Sequence, residues 1–195
     1  MQQTELALEL RSRTGKNICR QLRKDGRLPG IVYGKGIDPV PVTLDPKDLG
    51  SILAGEGGQN TLLTVKGGGE LNGSMVIIAD ILRESLKRTM LHVDLHKLNM
   101  NEKVRVDVPL ALVASAAGVK EGGLLDFAHH TIEIECLPAQ IPERIEVDIT
   151  DLNIGQSIHV SDLKLPSGAK AVLEGRVSLV SVLGKAKEEG AAAAE

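Results

Sequence analysis

Aromatic side chains are nearly missing from this chain of 195 residues, which has one tyrosine, one phenylalanine and no tryptophan. Proteins that bind single-stranded nucleic acid stack successive bases on aromatic side chains, so this scarcity excludes that binding mode. The core must be built from Val, Ile, Leu and Ala. The hydrophobic fraction of 42% is normal for a globular protein, and it excludes disorder along the whole chain.

Cysteines are equally scarce, and Cys19 and Cys136 stand far apart in no CxxC pattern. A disulfide framework and a structural zinc site are therefore not expected. The N-terminus lacks the features of a signal peptide, and the most apolar run, Met75–Ala79, is too short to span a membrane. We expect a protein of the reducing cytoplasm with no membrane partner, no cofactor and no small-molecule substrate.

The net charge of −3 conceals an uneven distribution of charge along the chain. Residues 1–36 carry eight Lys and Arg against three Asp and Glu, a balance of +5. Residues 37–97 have a balance of −2, with six against eight, and residues 98–195 one of −6, with nine against fifteen. A basic N-terminal segment on an acidic remainder indicates a polyanion-binding site confined to the first part of the chain.

Alternation of apolar and polar residues predicts a mainly β protein with short helices. Thr4–Leu10 is the clearest strand, with Leu6, Leu8 and Leu10 on one face. The pattern restarts near Leu98, which predicts a second, all-β domain. We therefore expect domains at residues 1–97 and 98–184, followed by a flexible low-complexity tail at 185–195. The Gly-rich stretch Ala114–Gly123 is expected to be a loop.

A short basic helix is predicted over Lys16–Asp25, with Ile18 and Leu22 on its apolar side and Gly26 ending it. Its other side is rich in cations, and two further arginines precede it: Lys16, Arg20, Arg23, Lys24 and Arg27, with Arg11 and Arg13 before them. Guanidinium groups match phosphate in a bidentate geometry, so the segment can bind an RNA or DNA backbone. The alternative is an ordinary solvated helix face.

The segment His92-Val-Asp-Leu-His96 puts three polar side chains on one face of a predicted strand. Such a set can bind a metal, or it can hydrogen-bond to base edges and 2′-hydroxyls. It can also be simply the exposed side of the strand. Tyr33 likewise either contacts a nucleotide or packs at a strand end.

Catalytic motifs are weaker. Neither Gly67-Gly-Gly nor Gly118–Gly123 matches a phosphate-binding loop, and no base accompanies Cys19 in the sequence.

The order of these residues resembles a known family, the general stress protein CTC family, which is the long form of the bacterial large-subunit protein that binds 5S ribosomal RNA. The resemblance extends to about Leu183. It rests on the following motifs: Arg11-x-x-x-Gly15-Lys16, Arg20-Gln-Leu-Arg23, Gly26-x-x-Pro29, Val32-Tyr33-Gly34, His92-Val-Asp94, Val108-Pro109, Gly118–Gly123, Leu137-Pro138, Ile141-Pro142-Glu143, Val147-Asp148, Leu152-x-Ile-Gly155 and Asp162-Leu163.

The resemblance implies a small N-terminal β-barrel that binds 5S RNA, a C-terminal β domain and contacts with neighbouring ribosomal proteins in the large subunit. Carried over by position, the RNA contacts are Arg11, Lys16, Arg20, Arg23, Tyr33, His92 and Asp94. The family also has a Gln followed closely by His-Pro before the His-x-Asp motif. This chain has Leu82, Ser85 and Leu86 in that neighbourhood, with Arg83 and Lys87 as candidate replacements for the polar contact.

Two other functions remain open on the sequence. In the first, the protein is a stress-related interaction factor whose acidic C-terminal domain docks a basic partner. In the second, His92, Asp94 and His96 form the metal site of a hydrolase.

Overall fold

The protein is described by a computed structural model that covers residues 4–55, 57–87, 89–166 and 168–184. The fold consists mainly of β-strands with a few short helices, which confirms the predicted fold class. No helix within these ranges is both long and apolar enough to cross a membrane. The predicted tail at 185–195 lies outside the described residues.

Six strands of the N-terminal half form a closed barrel in the order β1-β3-β2-β6-β5-β4. Parallel pairing of β1 with β4, from Thr4 opposite Leu63 to Leu8 opposite Gly67, closes the barrel. The strands are β1 Thr4–Leu10, β2 Leu28–Gly34, β3 Ile37–Leu44, β4 Leu63–Gly67, β5 Met75–Arg83 and β6 Met90–Lys97.

The barrel interior is filled by Leu, Val and Ile side chains, as the shortage of aromatic residues requires. In β1 the alternation holds for Leu6 and Leu8, which are buried. Leu10, expected on the same face, is 51% exposed. The pairing of β1 with β4 ends at Leu8, so Leu10 lies beyond its cover.

The described residues of the barrel half include two α-helices, α1 Lys16–Lys24 and α2 Pro46–Leu53. A helix as short as α1 is unstable alone in water, and it depends on tertiary contacts. Its apolar side chains Ile18 and Leu22 are half-buried, as their spacing predicts. Helix α2 has Asp45 as its N-cap, whose side chain accepts a hydrogen bond from the Lys47 amide at 2.8 Å.

The C-terminal half contains a four-stranded sheet in the order β10-β7-β9-β12 and a three-stranded sheet in the order β11-β13-β8. Their strands are β7 Val104–Val113, β8 Leu124–Phe127, β9 Thr131–Cys136, β10 Ile145–Asp148, β11 Ser157–His159, β12 Lys170–Ala171 and β13 Ser178–Leu183. The expected loop Ala114–Gly123 contains a short helix, α3 Ala117–Lys120. The sequence did not predict this helix, because glycine disfavours a helix interior.

By their contacts, the residues group into two compact units. The first unit comprises the chain up to Asp107 with Glu135–Glu143 and Pro166–Lys170, and the second comprises Val108–Ile134, Arg144–Leu165 and the chain from Ala171. The domain boundary at residues 97 and 98 stays a prediction.

Alanine substitutions at two glycines of the barrel half should change the free energy of unfolding in opposite directions. In β2, a Cβ on Gly30 would lie 2.8 Å from the carbonyl oxygen of Val93, a backbone atom. In α2, a Cβ on Gly50 would meet nothing nearer than a Met90 methyl at 3.9 Å. We expect Gly30→Ala to lower the free energy of unfolding by about 1–3 kcal/mol. Gly50→Ala should raise it by about 0.5–1 kcal/mol, since Ala favours a helix interior.

Urea titration of the two variants and the wild-type protein measures both changes. Equal effects of the two substitutions would contradict the close approach of β2 to β6.

Candidate nucleic-acid interface

Strand β6 divides its side chains between the barrel core and the outer surface. Val93 and Leu95 are fully buried, whereas His92, Asp94 and His96 are only half-buried. The alternation of the sequence predicts this division, because successive strand residues point to opposite faces. The three polar side chains therefore lie on the outer face of the barrel.

Parallel pairing of β2 with β6 adds Tyr33 to this outer face, where it lies opposite His96. The two rings meet edge to face, with their centroids 5.5 Å apart and an angle of 69° between their planes. The pairing thus joins Tyr33 to the three β6 residues that are far from it in sequence.

The His92 and Asp94 side chains are hydrogen-bonded to each other, with His92 Nδ1 2.7 Å from Asp94 Oδ1. A carboxylate oxygen can only accept a hydrogen bond, so His92 Nδ1 carries the proton. The neutral imidazole then has its second nitrogen, Nε2, as an acceptor, and the protonated imidazole has it as a donor. The pair fixes the tautomer of His92.

Strand β5 contributes Asp80, which lies opposite Asp94 after an irregularity in the β5–β6 register. Asp80 is not among the site residues predicted from the sequence, although a single charge inside the apolar run Val76–Leu82 is a signal for an outward side chain. Burial, followed by the negative charges of Asp94 and Asp80, raises the pKa of Tyr33 above its usual 10.0. Tyr33, Asp80, His92, Asp94 and His96 are called the polar face below.

Helix α1 presents Lys16, Arg20 and Lys24 as exposed side chains. Arg23 is also exposed, and its Nε donates a hydrogen bond of 2.9 Å to the carbonyl oxygen of Leu91. Leu91 directly precedes His92, so Arg23 joins the basic helix to the strand that carries most of the polar face. Two arginine nitrogens, Nη1 and Nη2, remain for other partners.

Arg11 makes several hydrogen bonds within the protein itself. Its Nε donates to the carbonyl oxygen of Val42 at 2.8 Å, and its Nη2 to that of Gly30 at 2.9 Å. Its Nη1 lies 3.5 Å from the Cys19 sulfur in α1. Arg11 thus links the helix to strands β2 and β3, and its predicted RNA contact must use the remaining N–H groups.

Leu82 lies opposite His92 across the β5–β6 pairing and is 55% exposed. An apolar side chain therefore borders the polar face where the resemblance led us to expect a polar contact.

The described residues contain no group of three or more His, Cys, Asp or Glu side chains placed to bind a metal ion. His92 interacts with Asp94, and the ring of His96 packs against Tyr33. The geometry of the polar face suits hydrogen bonding to a ligand better than metal binding.

Comparison with known proteins finds two family models along the chain. The model of the ribosomal L25p family matches residues 6–95. The model of the C-terminal domain of ribosomal protein TL5 matches residues 103–186.

Relatives that match over nearly the whole chain are large ribosomal subunit proteins bL25. The chain is 58% identical to that of Geotalea daltonii over 195 residues, which cover 100% of both chains. It is 59% identical to that of Geotalea uraniireducens over 189 residues, 97% of each chain. It is 40% identical to that of Moorella thermoacetica over 185 residues, 94% of this chain and 88% of the relative.

Truncation of Arg11 should destabilise the fold, whereas truncation of its neighbour Arg13 should not. Arg11→Ala removes hydrogen bonds from a charged group to two backbone carbonyls, so we expect the free energy of unfolding to fall by about 1–3 kcal/mol. Arg13 is exposed, and its truncation should change the free energy by less than about 0.5 kcal/mol. Chemical denaturation distinguishes the two. A stable Arg11→Ala variant would show that the internal hydrogen bonds contribute little.

Tyr33 should titrate above pH 10.0 in the folded protein, because burial and two nearby carboxylates disfavour the phenolate. It is the only tyrosine and tryptophan is absent, so tyrosinate absorbance reports this residue alone. Asp94→Asn should lower the pKa of Tyr33 towards its usual value, and Asp126→Asn in β8 should leave it unchanged.

The free energy of unfolding should fall as the pH rises through the Tyr33 pKa of the folded state, because Tyr33 ionises more readily in the unfolded chain. A titration curve like that of free tyrosine would contradict the assigned surroundings.

Proposed function

This chain belongs to the ribosomal L25p family of structural, non-enzymatic ribosomal proteins, and we propose that it binds 5S ribosomal RNA in the large ribosomal subunit. Its predicted RNA contacts are Arg11, Lys16, Arg20, Arg23, Tyr33, His92 and Asp94. The observation that supports this assignment best is the hydrogen bond from Arg23 to Leu91, since it puts the basic helix beside the polar face.

The basic helix supplies the affinity in this proposal. Its exposed Lys16 and Arg20 contact phosphates, whereas Arg23 uses Nε on the protein and offers its remaining nitrogens to the RNA. Phosphate contacts release counterions, and four or five of them predict a slope of log K on log salt of about −3 to −4.5. Such contacts position the RNA without reading its sequence.

The polar face supplies the selectivity. A-form RNA has a wide, shallow minor groove that displays 2′-hydroxyls and base edges, which polar side chains on a barrel surface can reach. His92 Nε2 and the Tyr33 hydroxyl can hydrogen-bond to such groups. The carboxylates of Asp94 and Asp80 accept hydrogen bonds from RNA hydroxyl or amino groups and repel phosphates, so the face favours grooves over backbone.

The proposed division of labour follows the proposed domains. Residues 1–97 bind the RNA, and residues 98–184 form a separate domain of the long form, with other ribosomal proteins as neighbours. The site of action is the ribosome in the cytoplasm.

RNA binding is tested with the full chain, 5S RNA and a transfer RNA as a structured competitor. We expect tight binding to 5S RNA and much weaker binding to the transfer RNA. The double variant Lys16→Gln, Arg20→Gln removes two exposed cations. Within the part of the chain that the structure describes, neither side chain forms an ion pair or a hydrogen bond. Its affinity for 5S RNA should fall roughly tenfold or more near 0.1 M salt, and the salt slope should shrink by about 1.4–1.8.

The matched control is Lys120→Gln, Lys170→Gln, which removes the same charge from exposed positions in the C-terminal half. It should bind as the wild type does. Equal, weak binding of the wild-type chain to both RNAs would contradict the proposal. It would mean that the basic helix is only a generic polyanion-binding patch.

The alternative role, a stress-related interaction factor acting through the acidic C-terminal domain, predicts the reverse pattern. In that case the Lys16 and Arg20 variant would retain function, and charge reversal in the C-terminal domain would abolish it.

A further inference from the structure

The second unit has a groove of about 590 Å³ with an apolar floor. Two of the floor side chains are buried and the others reach the surface, most of all Val113, which is 42% exposed. The apolar lining consists of Val113, Val147, Leu152, Ile158 and Leu163. These side chains give the groove an apolar surface on which an aliphatic side chain of a partner can pack.

The rim of this groove is strongly acidic. Four carboxylates and a single ammonium group line it: Glu146, Asp148, Asp151, Asp162 and Lys164. Hydrogen bonds hold two of the carboxylates in place. Asp148 accepts from the amide and the hydroxyl of Thr150, at 3.0 and 2.5 Å, and Asp162 accepts from the amide of His159 at 3.1 Å.

The charge of the rim selects the class of ligand. Arg144 Nε lies 3.5 Å from the Glu146 carboxylate and offsets part of its charge. The rim stays acidic, because the other three carboxylates face a single ammonium group, and it therefore repels phosphate and is unsuited to RNA. Metal binding has no support either, because no metal-binding group of His, Cys, Asp or Glu occurs in the ranges that the structure covers. A ligand that satisfies both rim and floor must combine cationic with apolar side chains.

We propose that this groove docks a basic, partly apolar segment of another protein. Lys or Arg side chains of the partner lie against the carboxylate rim, and an aliphatic side chain lies on the apolar floor. The excess of acidic residues across 98–195, fifteen against nine, attracts such a segment from a distance. The groove shares no residue with the proposed RNA contacts, and the proposal does not depend on them.

A second copy of this chain fits the groove less well than a different protein does. Its basic helix α1 has the right charge, but its apolar side chains Ile18 and Leu22 are already half-buried in its own fold. Helix α1 of a second copy therefore brings positive charge to the rim of the groove but has no exposed apolar side chain for its floor.

The test uses the full chain without RNA and a fluorescent peptide of alternating Lys and Leu, followed by fluorescence anisotropy. Two comparison peptides separate the contributions, one with Ser in place of Leu and one with Glu in place of Lys. The Lys–Leu peptide should bind most tightly. Glu146→Gln with Asp151→Asn should weaken its binding by about fivefold, since two exposed ion pairs are lost.

Two control variants stand outside the groove. Glu121→Gln with Glu174→Gln removes the same charge from exposed positions and should leave binding unchanged. Val113→Ser should weaken binding, whereas Val172→Ser, at a valine of similar exposure, should not.

Equal binding of the Lys–Ser and Lys–Leu peptides would overturn the proposal, because the apolar floor would then be unused. Equal affinity of all variants, or no binding, would overturn it too. Self-association of the wild-type chain that Glu146→Gln with Asp151→Asn abolishes would identify the occupant as a second copy instead.

Discussion

The parallel pairing of β2 with β6 is the contact on which the polar face depends. It puts Tyr33 against His96 and leaves both on the outside, while Val32 and Leu95 fill the barrel. A slip of one residue would turn the polar side chains of β6 into the core, where their desolvation would be costly. Gly30 permits the close approach at Val93, so the absence of one side chain helps to fix the positions of the others.

Helix α1 has too few residues to be stable by itself, and it is therefore positioned by the barrel. Half-buried Ile18 and Leu22 provide part of the attachment, and hydrogen bonds from two arginines provide more. An arginine has five N–H groups, which allows Arg23 to bind the protein through Nε and to keep the end of the guanidinium group for a ligand. Internal bonding of this kind also restricts the side chain, so less conformational entropy is lost when RNA binds.

The sequence predicted the features that depend on local periodicity. Strand β1, the basic helix and the outward position of His92, Asp94 and His96 all follow from alternation or helical spacing. Features that depend on pairing between distant segments were not predictable. The place of Asp80 beside Asp94 depends on a register irregularity in β5, and the internal bonds of Arg11 depend on strands more than 15 residues away.

The C-terminal half shows the same limit in another form. The glycines around α3 prevented its prediction from the sequence, and β8, with four residues, is too short to show a clear alternating pattern. The acidic residues that form the groove rim come from β10, the turn after it and the short helical turn Val160–Asp162, so no single stretch of sequence reveals them together.

Opposite charge in the two halves has a consequence for assembly under the proposed functions. A basic helix attracts RNA at long range, and an acidic remainder repels it, so RNA binding is confined to the polar face and its neighbouring helix. The acidic groove has no residue in common with the proposed RNA contacts, and its charge favours a basic protein segment over RNA. A single chain with both surfaces can join an RNA to a protein, and each surface excludes the ligand of the other by charge. Under the proposed functions, the RNA and the protein partner therefore each bind at only one of the two surfaces in a crowded ribonucleoprotein. This selectivity needs no large interface, since electrostatic complementarity contributes more to specificity than to affinity.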